Sequence, residues 1–164
     1  MKYLKLLCII VLIFFACKRI GPAGFWAGFE KSIRVENYND QGIWGGHRAI
    51  YWKAPDEHHF NTGNILRFAA KHNWQLVDST AFNAVTVQSW GARFAPVFTL
   101  PEDSILSSCY KYFPGWIHTG ITLYRFNTNM LLVYPGTDDN TTTNGMVAIS
   151  RDDREMAVYH AWGE

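Results

Sequence analysis

The chain has 164 residues, enough for one domain with a substantial apolar core. Its formal net charge is +1 and it contains no basic cluster, so the composition argues against nucleic acid binding as the main role. Eleven Phe, eight Tyr and seven Trp residues supply the large side chains that can build such a core.

The N-terminal residues have the layout of an export signal. Lys2 and Lys5 precede an apolar run from Leu6 to Ala16. This run is much shorter than the roughly 20 residues of a membrane-spanning helix, and Gly21 and Pro22 discourage its continuation. We therefore interpret residues 1–16 as a cleaved signal peptide.

The end of this leader, Ile-Phe-Phe-Ala-Cys, resembles the lipobox of bacterial lipoproteins. Ala16 and Cys17 match the small residue and the cysteine of that motif, whereas Phe14 and Phe15 depart from it. The resemblance implies cleavage before Cys17 and attachment of acyl chains such as palmitate to this cysteine, which would tether the protein to a membrane. The alternatives are a secreted protein, cut after Ala16 or Ala23 without lipidation, and a single uncleaved N-terminal anchor.

The same resemblance bears on location and on disulfide bonds. Lys18 and Arg19 follow Cys17 without an acidic residue, which resembles periplasm-facing outer-membrane lipoproteins. Cys8 would be removed with the leader, and a lipidated Cys17 would leave Cys109 without an intrachain disulfide partner. The domain is then expected to depend on its apolar core for stability.

Residues 17–28 read as the lipidated N-terminus and a Gly- and Pro-containing tether, and residues 29–164 as one domain. Alternation from Phe29 to Val35, a turn at residues 39–42 and a strand over residues 43–53 predict a hairpin. Asn61 or Thr62 is a candidate N-cap for a helix that ends near Asn73. A strand is predicted over residues 74–77.

The second half begins with a less regular region. We predict a second helix over residues 82–90, a loop over residues 91–101 and a short helix within residues 102–113. Four strands follow, paired through turns at residues 127–129 and 152–153, and they are predicted over residues 121–126, 130–134, 146–150 and 155–162. The expected fold class is α+β, with a mainly antiparallel sheet of about six to seven strands and two or three helices on one face.

Two polar segments contain residue types that bind metals. Asp56, Glu57, His58 and His59 are zinc or copper ligand types, but neighbours on an extended segment point to opposite sides. Residues 137–145 are rich in oxygen donors, yet their spacing does not fit an EF-hand. We interpret both as solvated loops, and we expect no metal and no cofactor.

A catalytic pair is conceivable between Cys109 and either His118 or His160. Cys109 lies in an amphipathic stretch, residues 105–110, and does not show the Asp-Cys-Ser-Gly signature of envelope cell-wall peptidases, so a structural role is favoured. The chain contains no P-loop, nucleophile elbow, zinc-protease helix or dinucleotide fingerprint.

The best candidate ligand patch comprises Trp44, His47, Arg48 and Trp52. The two glycines between Trp44 and His47 would let a ligand approach the backbone closely. Arg48, like Arg125 elsewhere in the chain, can hold a carboxylate or pair with a structural acid.

These observations favour an envelope lipoprotein with a non-enzymatic binding or structural role. Its partner would be an envelope protein, a toxin or a glycan, in addition to the membrane reached through the anchor. The alternative is a small envelope hydrolase that uses Cys109 or a His-centred site.

Overall fold

The computed structural model describes residues 21–87, 116–133 and 140–163. Two short 3-10 helices, Gly24–Gly28 and Lys31–Ile33, come first. The strands are β1 (Arg34–Gln41), β2 (Gly45–Lys53), β3 (Gln75–Phe82), β4 (Ile121–Val133), β5 (Asn140–Ser150) and β6 (Glu155–Gly163), and helix α1 (Thr62–Lys71) connects β2 to β3. The leader with Cys17, the loop over residues 91–101, the helix expected within residues 102–113, Cys109 and residues 137–139 lie outside the described residues.

The six strands form one sheet in the order β1-β2-β6-β5-β4-β3. All ladders are antiparallel apart from one parallel contact between Leu132 and Gly163. Strands β3 to β6 form a meander, and the β1–β2 hairpin joins it through the pairing of β2 with β6. The expected α+β class with a mainly antiparallel sheet is confirmed at this level.

The predicted α1 is confirmed, and its ends follow from local chemistry. The side chain of Asn61 accepts a hydrogen bond from the backbone N–H of Asn64, which satisfies one of the free donors of the first turn. Ile65 and Ala69 are buried against the sheet. After the helix, Asn73 adopts a left-handed conformation with φ of 64°, which turns the chain into β3.

Residues 127–129 do not form the predicted turn, because β4 runs through them as one long strand. Asn127 pairs with Thr143 and Leu132 pairs with Thr141, so β4 contains extra residues that bulge out of the ladder. The amide of Asn144 donates to the carbonyl of Met130 at 2.9 Å and satisfies an acceptor within the bulge. Polar residues that suggested a turn therefore form a bulge.

Both faces of the sheet carry buried apolar residues, because successive residues of a strand point to opposite sides. On the face covered by α1, called here the α1 face, Ile50 and Trp52 pack with Val147 and Val158. On the opposite face, Ala49 and Tyr51 pack with smaller residues of β5 and β6. Val87, from helical residues 84–87, belongs to this second cluster. The sequence predicted helices on one face of the sheet, which holds for α1 but not for residues 84–87.

The core begins nearer to the N-terminus than the sequence suggested. Ala23 and Trp26, which lie within the tether predicted from sequence, are buried on the α1 face. Trp26 lies 5.6 Å from Trp74 and 5.1 Å from Phe68, measured between ring centroids. The packed part of the domain therefore includes these tether residues.

Candidate functional site

The structure does not bring the four residues of the sequence-predicted ligand patch onto one surface. Trp44 is exposed in the turn between β1 and β2, whereas Trp52 is buried and donates its indole N–H to the carbonyl of Phe29 at 2.8 Å. His47 and Arg48 are consecutive residues of β2, so their side chains point to opposite faces. Arg48 shares the α1 face with Trp52, and His47 lies near Tyr38 and Tyr159 on the other face.

Arg48 is the most unusual of these residues because it is a buried cation. Only 4% of its surface is exposed, and its Nε–H donates to the side-chain oxygen of Asn39 at 3.1 Å. Within the described residues no carboxylate pairs with Arg48, and its Nη1 has no hydrogen-bond partner. Burial lowers the pKa of the guanidinium, because a low-dielectric environment disfavours the charged form.

His160 lies directly across from Arg48 on the neighbouring strand β6. Its side chain is fully buried, and its Nε2 lies 3.2 Å from the Thr128 hydroxyl. That hydroxyl donates to the Asn144 side-chain oxygen at 2.5 Å, so the Nε2–H of His160 donates to Thr128. The Nδ1 of the ring then carries a lone pair, and it has no partner in the described part of the chain.

The environment keeps His160 neutral. Burial, with a smaller contribution from the positive charge of Arg48, lowers its pKa to about 3. The rings of Trp74 and Trp162 lie 5.3 Å and 5.2 Å from the imidazole, measured between centroids, and exclude water from it. Trp74 can approach because the residue next to His160 on β5 is Gly145, where a Cβ atom would clash with both Trp74 and Thr128.

The polar cluster of Arg48, His160, Thr128 and Asn144 is thus built from four strands of the α1 face. Sequence reasoning named Arg48 and His160 but did not connect them, and it missed Thr128 and Asn144. One available signal was the two-residue periodicity of β6, which places His160 in phase with the core residues Val158 and Met156.

Arg125, the other candidate carboxylate receptor, has a structural partner. Its Nε donates to Asp78 at 2.7 Å across the β3–β4 ladder, and a second guanidinium nitrogen contacts the other oxygen of this carboxylate. This bidentate hydrogen bonding lowers the pKa of Asp78. Of the two arginines, Arg48 is therefore the one without a carboxylate partner among the described residues.

The segment from Asp56 to His59 is engaged in local contacts. Asp56 pairs with Arg154, His58 lies 2.8 Å from a Glu30 oxygen, and His59 contacts the carbonyl of Asp152 at 3.0 Å. No group of three metal-ligand side chains is found within the described ranges. In the oxygen-rich segment over residues 137–145, residues 140–145 belong to β5.

The turn between β1 and β2, together with the first residue of β2, comprises Gly42 to Gly45 and is called here the hairpin tip. Ile43 is 92% exposed and Trp44 is 78% exposed. The tip is closed by a hydrogen bond of 2.7 Å from the Gly42 N–H to the Gly45 carbonyl. Two further glycines pack closely under it, because a Cβ atom at Gly46 would clash with the Asp40 carbonyl and one at Gly163 with the Trp44 carbonyl. The backbone of the tip is therefore closely packed, while both of its apolar side chains are exposed.

The first described residue of the chain, Gly21, lies at this same end of the sheet. A Cβ atom placed on Gly21 would be 3.4 Å from the Gln41 side-chain oxygen and 3.5 Å from Nη2 of Arg48. Gln41 is the residue that precedes the hairpin tip. An open pocket that includes Arg151 and Gly120 lies at the opposite end, near the β5–β6 turn.

None of the helices in the described ranges is both long and apolar enough to cross a bilayer. Comparison of the chain with protein families, curated proteins and solved structures gives no match.

Proposed function

We propose that this protein is a bacterial envelope lipoprotein, tethered through Cys17, whose domain binds a ligand without transforming it. The observation that carries the binding role is Arg48, a guanidinium that is 4% exposed and lacks a carboxylate partner in the described chain. A buried charge without a counter-ion is costly, and a carboxylate on a ligand would offset that cost through charge-assisted hydrogen bonds.

The location of Arg48 gives a route for this carboxylate. The guanidinium lies beneath Gly21, a residue without a side chain, at the end of the sheet where the described chain begins. A shift of this N-terminal segment would expose Nη1 and Nη2. The aromatic side chains around the neighbouring His160 would then surround the apolar part of the ligand.

The arrangement of the histidines supports binding over the alternative of hydrolysis. General acid–base catalysis needs ionisable groups that converge on one cleft. His160 and His47 lie on opposite faces of the sheet, and His118 is exposed in the segment before β4. His58 and His59 are at the Asp56–His59 segment, where each has the local contact described above.

The carboxylate site is tested with sodium acetate as the probe and sodium chloride at equal ionic strength as the reference. We expect acetate to raise the unfolding temperature by about 3 °C, which corresponds to about 1 kcal/mol for a domain of this size. In Arg48→Met this response should vanish, while the variant itself unfolds at the same or a higher temperature because a buried unpaired charge has been removed.

Arg125→Met is the matched control, since it removes an arginine whose carboxylate partner is Asp78. It should lower stability and keep the acetate response. The binding role is contradicted if acetate has no larger effect than chloride and Arg48→Met strongly destabilises the protein. Arg48 would then serve to stabilise the fold.

The tether is tested separately by growth with a palmitate analogue that can be labelled. We expect the wild-type protein to carry the label and to sediment with membranes, and Cys17→Ala to lose both properties. Unchanged membrane association of Cys17→Ala would contradict lipid anchoring at this residue.

A further inference from the structure

The hairpin tip presents two large apolar side chains that the fold does not use. Ile43 and Trp44 are neighbours in the turn, 92% and 78% exposed. Four other tryptophans of the described chain are buried, namely Trp26, Trp52, Trp74 and Trp162. An adjacent pair of exposed apolar residues on a protruding turn indicates a contact surface.

The backbone of the tip is fixed by a hydrogen bond and by close packing of glycines. The Gly42–Gly45 hydrogen bond closes the turn, and the chain at Gly46 and Gly163 packs so tightly that neither position has room for a side chain. Gly163 also adopts φ of 78°, a conformation that side chains rarely allow. The turn backbone is therefore closely held, and Trp44 extends from it with 78% of its surface exposed.

The position of the N-terminal segment identifies what the tip faces. Gly21 lies beside Gln41, immediately before the tip. Cys17 precedes Gly21 by four residues, and four extended residues span at most about 14 Å. A lipid anchor on Cys17 would thus hold the bilayer surface close to the end of the sheet that carries Ile43 and Trp44.

We propose that Ile43 and Trp44 insert into the interfacial region of the bilayer leaflet that holds the acyl chains of Cys17. This inference rests on the proposed tether. Tryptophan favours the membrane–water interface because its ring is apolar and its indole N–H can remain hydrated. Asp40 is exposed near the tip, so insertion is shallow and leaves this carboxylate in water.

Insertion at the tip gives the domain a defined orientation. The β1–β2 turn and the C-terminal end of β6 face the membrane, because Gly45 pairs with Gly163. The β5–β6 turn and the pocket with Arg151 then point away from it. Arg48 lies at the membrane-facing end, beneath the segment that leads to the anchor.

The test uses the full-length protein, purified from its membrane and reconstituted in phosphatidylcholine vesicles with or without brominated acyl chains. Bromine quenches tryptophans that enter the bilayer. We expect brominated lipid to quench the wild-type protein, and the quenched fraction to fall at least threefold in Trp44→Phe. Ile43→Ser should reduce the quenching, whereas Val77→Ser, at an exposed residue of the edge strand β3, should not.

The outcomes separate the tip from the tether. Acylated, vesicle-bound protein that is quenched equally with and without Trp44 would overturn the insertion and leave the tether intact. Quenching that depends on Trp44 in protein without an acyl label would uphold the insertion and overturn the tether. If brominated lipid has no effect and Trp44→Phe converts a dimer in detergent into a monomer, the tip binds a second copy of the chain and the proposal is overturned.

Discussion

Acidification from pH 6.5 to about pH 4.5 should cost the protein about 2–3 kcal/mol of unfolding free energy through His160 alone. The folded-state pKa of this ring is about 3, against 6.5 for an unperturbed histidine. Between these values the unfolded chain binds a proton that the folded protein excludes. The contribution of neutral His160 to stability is therefore fully present above about pH 6.5 and is lost as the pH falls towards 3.

The groups around His160 explain why the folded protein resists this proton. Arg48 faces the ring from β2 and is itself positive, while Thr128 and Asn144 are neutral. Trp74 and Trp162 complete the surroundings with apolar surface. No carboxylate among the described residues contacts the ring, so nothing there compensates an imidazolium.

The prediction is measured by urea unfolding at several pH values between 4.5 and 7.5, in the wild-type protein and in His160→Gln. His160→Gln should lose the part of the pH dependence of the unfolding free energy that His160 contributes. Burial also lowers the pKa of His47 and His72, so a smaller slope of the same sign should remain. Asp78 and Asp152, whose pKa values are lowered from 3.8, become important only below this window.

Val77→Ser is the control, because this substitution at an exposed residue of β3 changes no titratable group and should leave the pH dependence of the unfolding free energy unchanged. The prediction fails if the imidazole of His160, followed by NMR in the folded protein, titrates near pH 6.5.

The parts of this fold that could be predicted from sequence depend on contacts between residues close in the chain. Helix α1 has its N-cap at Asn61 and a left-handed residue at Asn73, and the β5–β6 hairpin turns at Asp152 and Asp153. Each signal lies within a few residues of the structure that it specifies. Such signals are visible without knowledge of the rest of the molecule.

The parts that could not be predicted depend on which strands become neighbours. Residues 127–129 have turn chemistry, yet the ladder with β5 and the contacts of Asn144 and Thr128 keep β4 continuous. The hairpin tip was expected at residues 39–42, because Ile43 and Trp44 look like strand residues when burial is unknown. The position of Arg48 across from His160 requires the pairing of β2 with β6, which are separated by most of the chain.

Replacement of Trp52 should affect stability, although the sequence had suggested a ligand contact. Its ring is fully buried on the α1 face, and its indole N–H donates to the Phe29 carbonyl. Trp52→Phe leaves a cavity and removes that donor from a buried acceptor, so we expect a loss of about 2–4 kcal/mol. Trp44→Phe, at an exposed residue of the same predicted patch, should change the free energy of unfolding by less than about 0.5 kcal/mol.

Urea unfolding of the two variants under identical conditions gives a direct comparison, because the chemical change is the same and the surroundings differ. In the acetate assay, Trp52→Phe should keep the response that Arg48→Met loses, since Trp52 acts through the core. In the vesicle assay, Trp52→Phe should be quenched like the wild type, because its ring stays inside the domain. If Trp52→Phe had normal stability and no acetate response, Trp52 would instead lie at the ligand. If Trp44→Phe unfolded as easily as Trp52→Phe, the hairpin tip would support the fold.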